Sequence, residues 1–154
     1  MNLLANPYAL YALIALAYFS LTDLRDRTAP GIELFFGGAV LLGVLENPLR
    51  VGVVVLVVVG ILKNWRPLVL MALFVFPSTW VVVWGGYLYH KKAVGGADWL
   101  ALAGLACLFP WYVPVFAGGG MVLWHAGWRG RSPVPALPGI WLGTLIGLMW
   151  FCFF

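Results

Sequence analysis

Few side chains in this sequence can do chemistry, and the acids sort themselves quickly. Of the five acidic residues, Asp26 stands between Arg25 and Arg27 as a solvated loop charge. Glu46 adjoins Asn47 and Pro48 at the end of an apolar run, and Glu33 falls in the first turn of another, where a carboxylate suits a helix dipole. Asp23 and Asp98 are different: Asp23 closes the first apolar run, and Asp98, in "AVGGADWLALAGLACLF", follows a glycine pair and opens a later one. An ionised carboxylate at such an edge costs several kcal/mol to bury, so it is either solvated or kept for a purpose. A pair of carboxyls has an evident use. One, ionised, takes a proton from water; the other, protonated, polarises a peptide carbonyl and then protonates the leaving amine. Two carboxyls close enough to share a proton cannot both ionise, so one pair fills both roles. The alternative for Asp98 is a helix N-cap, and for Asp23 a flanking residue paired with Arg25 or Arg27.

Other chemistries lack their parts. His90 adjoins Lys91 and Lys92, and His125 lies near Trp124 and Trp128 in what reads as an interfacial aromatic belt. There is no HExxH and no GxSxG. Cys107 and Cys152 sit inside apolar runs and form no CxxC pair, so neither a disulfide framework nor a metal site is indicated, and no cofactor is expected. Gly95 and Gly96 would allow close backbone approach and unusual dihedrals beside Asp98, or would serve as an ordinary flexible loop.

The elements that must position these groups are apolar throughout. The chain has 154 residues, 64% of them hydrophobic and 9% charged, with a mean hydropathy of +0.99. This composition belongs to integral membrane proteins. The net charge of +4 comes from short basic clusters between apolar runs, a pattern that orients spans rather than one that binds nucleic acid. The first run lacks a basic leader region and a cleavage signal and reads as a retained helix. Residues 7–22, 31–45, 67–89, 114–126 and 139–154 are candidate spans. Runs 51–62 and 98–109 are short, about 12 residues and about 18 Å each. Arg25 with Arg27, Lys91 with Lys92, and Arg129 with Arg131 read as cytoplasmic loops. An even number of crossings must separate the first two clusters, so run 51–62 is expected not to cross independently, unless Lys63 and Arg66 lie outside against the charge rule. The expected fold is an all-α, polytopic integral-membrane bundle of about six transmembrane helices in a single domain, residues 1–154, with the N-terminus outside. The glycines in "FAGGGM", residues 116–121, would serve close helix packing.

The neighbours of the two aspartates carry a family likeness. "DLRDRTAPG", residues 23–31, resembles the aspartate, basic, proline signature that follows the first helix of type IV prepilin peptidases and archaeal preflagellin peptidases. "GGAD", residues 95–98, resembles their GxGD element, and "SPVPALPGIWLG", residues 132–143, is similar to their Pro-rich entry to the last helix. Where the family commonly has Lys two residues after the second aspartate, this chain has Leu100 following Trp99, and Gly31 follows the proline where Asn or Asp is common.

The resemblance implies a multi-pass aspartic peptidase of the cell membrane that clips the short basic leader from pilin-like or archaellin-like precursors near the cytoplasmic face. Asp23 and Asp98 would be catalytic, supported by Gly95, Gly96, Arg25, Arg27 and Pro30. Asp26 and Glu33 are candidates for recognising a basic leader. Relatives that also methylate the new N-terminus carry an added domain with paired cysteines, absent from this sequence, so the resemblance implies peptidase activity alone. The implied partners are the precursor and the lipid bilayer. Two other readings stay open: a non-catalytic membrane scaffold or transporter subunit, and an inactive relative of the peptidase.

Overall fold

The computed structural model describes residues 6–65, 77–130 and 134–153. Among them the chain forms seven α-helices and no strand: α1 (Pro7–Asp26), α2 (Ile32–Glu46), α3 (Pro48–Leu62), α4 (Ser78–His90), α5 (Gly96–Leu108), α6 (Tyr112–Gly127) and α7 (Leu137–Phe153). The fold is all-α, as the sequence leads one to expect. Residues 67–76 of the expected span 67–89 lie outside the described residues. Local chemistry starts and stops the helices. Asn6 caps α1 by accepting the Tyr8 and Ala9 N–H groups, with Pro7 at the first helical position. Asn47 alone joins α2 to α3; it closes the former and caps the latter, accepting the Arg50 N–H at 3.0 Å. At the other end of α1, Arg27 takes a left-handed conformation and donates its N–H to the Asp23 carbonyl. The helix therefore continues past the apolar run and carries Asp23 in its last turn.

Helix α5 sits at the centre and touches each of the other six helices. Its sequence explains this, because ALAGLACL presents small side chains that let neighbours approach, and residues 101–109 are all buried. Gly104 leaves room for the Phe35 ring of α2, where an added Cβ would lie 2.7 Å from it. Gly43 of α2 passes so close that a Cβ there would be 2.6 Å from the Cys107 carbonyl. Trp99 is buried and donates its indole N–H to the Val82 carbonyl of α4 at 2.9 Å, with Gly85 making space for its ring. The last carbonyls of α5 have no partner within their own helix. Arg50 of α3 supplies one, donating to Cys107 O at 3.0 Å and Leu108 O at 3.3 Å.

The glycines of 116–121 divide their work. Gly120 meets Gly139 and Gly143 of α7, Gly118 faces Val81 and Trp84 of α4, and Gly119 faces open space. Trp141 of α7 reaches the Leu13 carbonyl of α1 at 3.1 Å, and Tyr11 of α1 reaches the Phe35 carbonyl of α2 at 3.0 Å, closing the ring of helices around α5.

Run 51–62 falls in α3, which starts three residues earlier, at Pro48 behind the Asn47 cap, and whose 15 residues rise about 22 Å. Its first turn lies at the C-terminus of α5, through Arg50. Its last turn meets the C-terminus of α4, where His90 Nε2 lies 3.1 Å from the Ile61 carbonyl. Helix α3 thus runs the depth of the bundle. Lys63 consequently lies at the same end of the bundle as Lys91, while Arg66 lies outside the described residues.

The outer surface is also apolar, with Ile14, Leu21, Leu34, Leu41, Leu45 and Leu123 all more than half exposed. Among the described residues α1 is the one helix long and apolar enough to cross a membrane; α3, α5 and residues 137–150 form shorter apolar helices.

The packing makes opposite predictions for two glycines. A Cβ at Gly143 would strike the Phe116 backbone carbonyl, whereas one at exposed Gly52 would meet nothing within 4 Å. Gly143→Leu should destabilise the purified protein by about 3 kcal/mol or more through overpacking. Gly52→Ala should stabilise it by about 0.5–1 kcal/mol through backbone entropy. Thermal unfolding followed by circular dichroism measures both.

Candidate active site

Asp23 in the last turn of α1 and Asp98 in the first turn of α5 open onto one chamber. Its volume is about 1070 Å³, and the ends of α1, α4, α5, α6 and α7 bound it. The two carboxyls, both half-buried, are near enough that the charge of Asp23 is felt at Asp98. Each is held by a backbone amide. Asp23 Oδ2 accepts the Leu137 N–H at 3.3 Å, the first amide of α7, which its own helix leaves without a partner. Pro138, next in sequence, has no N–H to offer. Asp98 Oδ2 accepts the Gly95 N–H at 3.1 Å. Asp98 is therefore not the N-cap considered from the sequence. The cap is Gly95, and Asp98 at the third helical position reaches back to it, the acidic half of a capping box whose other half glycine cannot return.

The supporting residues separate into two groups. Gly95, Gly96 and Arg27 line the chamber with the two aspartates. The role of Gly95 is room rather than unusual dihedrals. Its backbone is ordinarily extended, at φ −72° and ψ 156°, but a Cβ there would lie 3.0 Å from Asp98 Oδ2. Arg27, in its left-handed turn, lays its guanidinium over the Trp128 ring, 5.1 Å from the centroid. Arg25, Asp26, Pro30 and Glu33 are exposed and lie outside the chamber wall. Arg25 pairs with Asp26 at 3.6 Å, and exposed pairs of this kind contribute little to stability.

The structure adds wall residues that the sequence did not single out. Lys92, in a left-handed turn, and Tyr89, stacked on Trp99 at 5.3 Å, close the side nearest α4. Met121 and His125 line the side formed by α6. His125, read from sequence as part of an interfacial belt, is exposed but on the chamber wall. The available signal was its i, i+4 spacing from Met121 on one helical face. Chemically, the arrangement places two carboxyls about a space that admits water and an extended peptide, each with one oxygen anchored by an amide. Among the described residues no three His, Cys, Asp or Glu side chains gather as a metal ion would require.

Comparison of the chain with family models, with curated proteins and with solved structures finds no match.

The convergence of the two aspartates can be tested without any assay of activity. In a background lacking Cys107 and Cys152, Asp23→Cys combined with Asp98→Cys should be bridged by a short bis-maleimide, giving a linked species after proteolysis between them. Asp26→Cys combined with Asp98→Cys should not be. Equal bridging in the two pairs would contradict a chamber that Asp23 and Asp98 share and Asp26 does not enter.

Proposed function

We propose that this protein is a membrane-embedded aspartic endopeptidase that removes the short basic leader from prepilin- or preflagellin-like precursors near the cytoplasmic face of the cell membrane, without N-methylating the product. The observation that carries the reading is the shared chamber. The two aspartates that the family resemblance marks as catalytic, far apart in sequence and on different helices, line one cavity.

A multi-pass arrangement is supported by a bundle that is apolar both inside and out. Helices α2 to α7, of 13 to 17 residues, rise about 20–25 Å. They would thin the bilayer locally or tilt little within it. Charge supports the orientation. Arg25, Arg27, Lys63, Lys91, Lys92 and Arg129 all fall at the chamber end of their helices, whereas Arg50, at the opposite end, is engaged by the carbonyls of α5. By the positive-inside rule the chamber end is cytoplasmic.

In the proposed reaction the ionised carboxyl takes a proton from a water molecule, whose oxygen bonds to the scissile carbonyl carbon. The protonated carboxyl gives its proton to the carbonyl oxygen. The resulting gem-diol collapses as the C–N bond breaks, the amine nitrogen collecting a proton from the pair and one hydroxyl returning its own, so that a single shared proton is restored. The two carboxyls titrate as a unit. Asp26 and Glu33, exposed at the same end, are the proposed contacts for a basic leader.

Asp23→Asn and Asp98→Asn should each lower cleavage of a co-expressed pilin-type precursor by at least about a hundredfold while the protein remains in the membrane. Retained cleavage in both variants would overturn the proposal. For the wild type, kcat/KM should trace a bell against pH. It falls on the acid side as the second carboxyl gains a proton and no base remains, and on the alkaline side as the shared proton is lost and no acid remains. Rates that follow pH along a single limb would argue against a carboxyl pair.

A further inference from the structure

Between α4 and α6 the outer surface is grooved. Trp80 and Trp84 of α4, one turn apart, form one wall; Val115, Val122 and Leu123 of α6 form the other, with Gly118 and Gly119 as floor. The groove holds about 530 Å³, and no wall residue is charged. It extends about 10 Å along α6 from Val115 to Val122, the length of two helical turns. At its upper end Val122 also lines the chamber of Asp23 and Asp98. A second depression, between α6 and α7, shares no residue with that chamber.

The proposed reaction cuts just ahead of the precursor's hydrophobic helix, so that helix must stand beside the chamber with its N-terminal end at the carboxyls. The continuity at Val122 marks where. We infer that the groove between α4 and α6 seats the first turns of the precursor's hydrophobic helix and delivers the extended segment before it past Val122 into the chamber; this rests on the peptidase reading. The floor suits a helix. In a bilayer, helices associate through small residues that let backbones approach, and exposed Gly119 supplies such a point facing outward, next to buried Gly118. Gly118 is already close to Val81 and Trp84, whereas Gly119 has nothing within 4 Å of a Cβ placed on it. The space above Gly119 is used by no part of the described chain. The exposed indoles of Trp80 and Trp84 give the seated helix a broad apolar contact on its other side.

The openness at Gly119 provides the test, because the Cβ of Gly119→Leu meets nothing within 4 Å and its side chain adds bulk to the groove. Two substrates are compared in vesicles carrying the full-length protein: a membrane-anchored pilin-type precursor, and a soluble peptide spanning the scissile bond but lacking the hydrophobic helix. Gly119→Leu should lower the ratio of kcat/KM for the precursor to that for the peptide by about tenfold, mainly through KM, the scale of a steric misfit in an apolar pocket. Equal slowing of both substrates would overturn the inference. A second readout is independent of cleavage. A photoreactive benzoylphenylalanine at Val115 should crosslink the precursor helix, and the same group at Leu41, exposed on α2, should not. Equal crosslinking at the two positions, or adducts with lipid only at Val115, would overturn the docking site. Failure of the wild type to cleave either substrate would overturn the peptidase reading, leaving the groove to be judged by the crosslinks.

Discussion

Helices without a polar face hold one another chiefly by closeness, and the rest of this bundle depends on α5 being thin enough to be surrounded. Dispersion between packed backbones is weak per atom and large in sum, and it falls away within an ångström of extra separation. The run ALAGLACL satisfies that constraint on every side at once. Gly43 against the Cys107 carbonyl and Phe35 against Gly104 bring α2 in, while Trp99, bonded to the Val82 carbonyl, ties α4 to α5. The ends of α5 are matched to its dipole, with Asp98 in the first turn and the Arg50 guanidinium on the last carbonyls. A residue proposed to work in catalysis is thus also a helix-terminal group. The two roles coexist, because Asp98 gives one oxygen to the Gly95 amide and turns toward the chamber beside Asp23.

Much of this was legible in the residues. A carboxylate beside an apolar run is costly enough to stand out, so Asp23 and Asp98 could be picked from five acids before any fold was known. The helical class followed from runs of apolar residues broken by Pro, Gly and Asn. What could not be read were quantities set by partners distant in sequence. The depth of α3 depends on Asn47 and Pro48 starting it early and on Arg50 tying its first turn to α5; a count of apolar residues in 51–62 sees none of these. Of the two uses read for Gly95, close approach and unusual dihedrals, only the first applies: its backbone is ordinary and its lack of a side chain leaves room for the carboxylate three residues on. Arg27 looked like a topological charge, and its place over Trp128 appears only when α1 and the end of α6 come together.

The treatment of charge at the chamber end follows a consistent logic. Cations gather there, yet Asp23 and Asp98 make no ion pair among the described residues. Arg25 is engaged by Asp26 on the exposed surface, and Arg27 is drawn over an indole, acting on Asp23 only through space. A guanidinium bound directly to either carboxyl would hold it ionised and withdraw it from proton exchange. Amides from Leu137 and Gly95 do less. They fix the direction of each carboxyl by one oxygen without supplying a full opposing charge. The second oxygen is left for water or a peptide. For a pair proposed to pass one proton back and forth, anchoring by neutral donors is the arrangement that secures position while leaving protonation free to change. It follows that the glycine before Asp98 and the proline-bounded start of α7 matter to the site through their backbones, where no side-chain motif would reveal them.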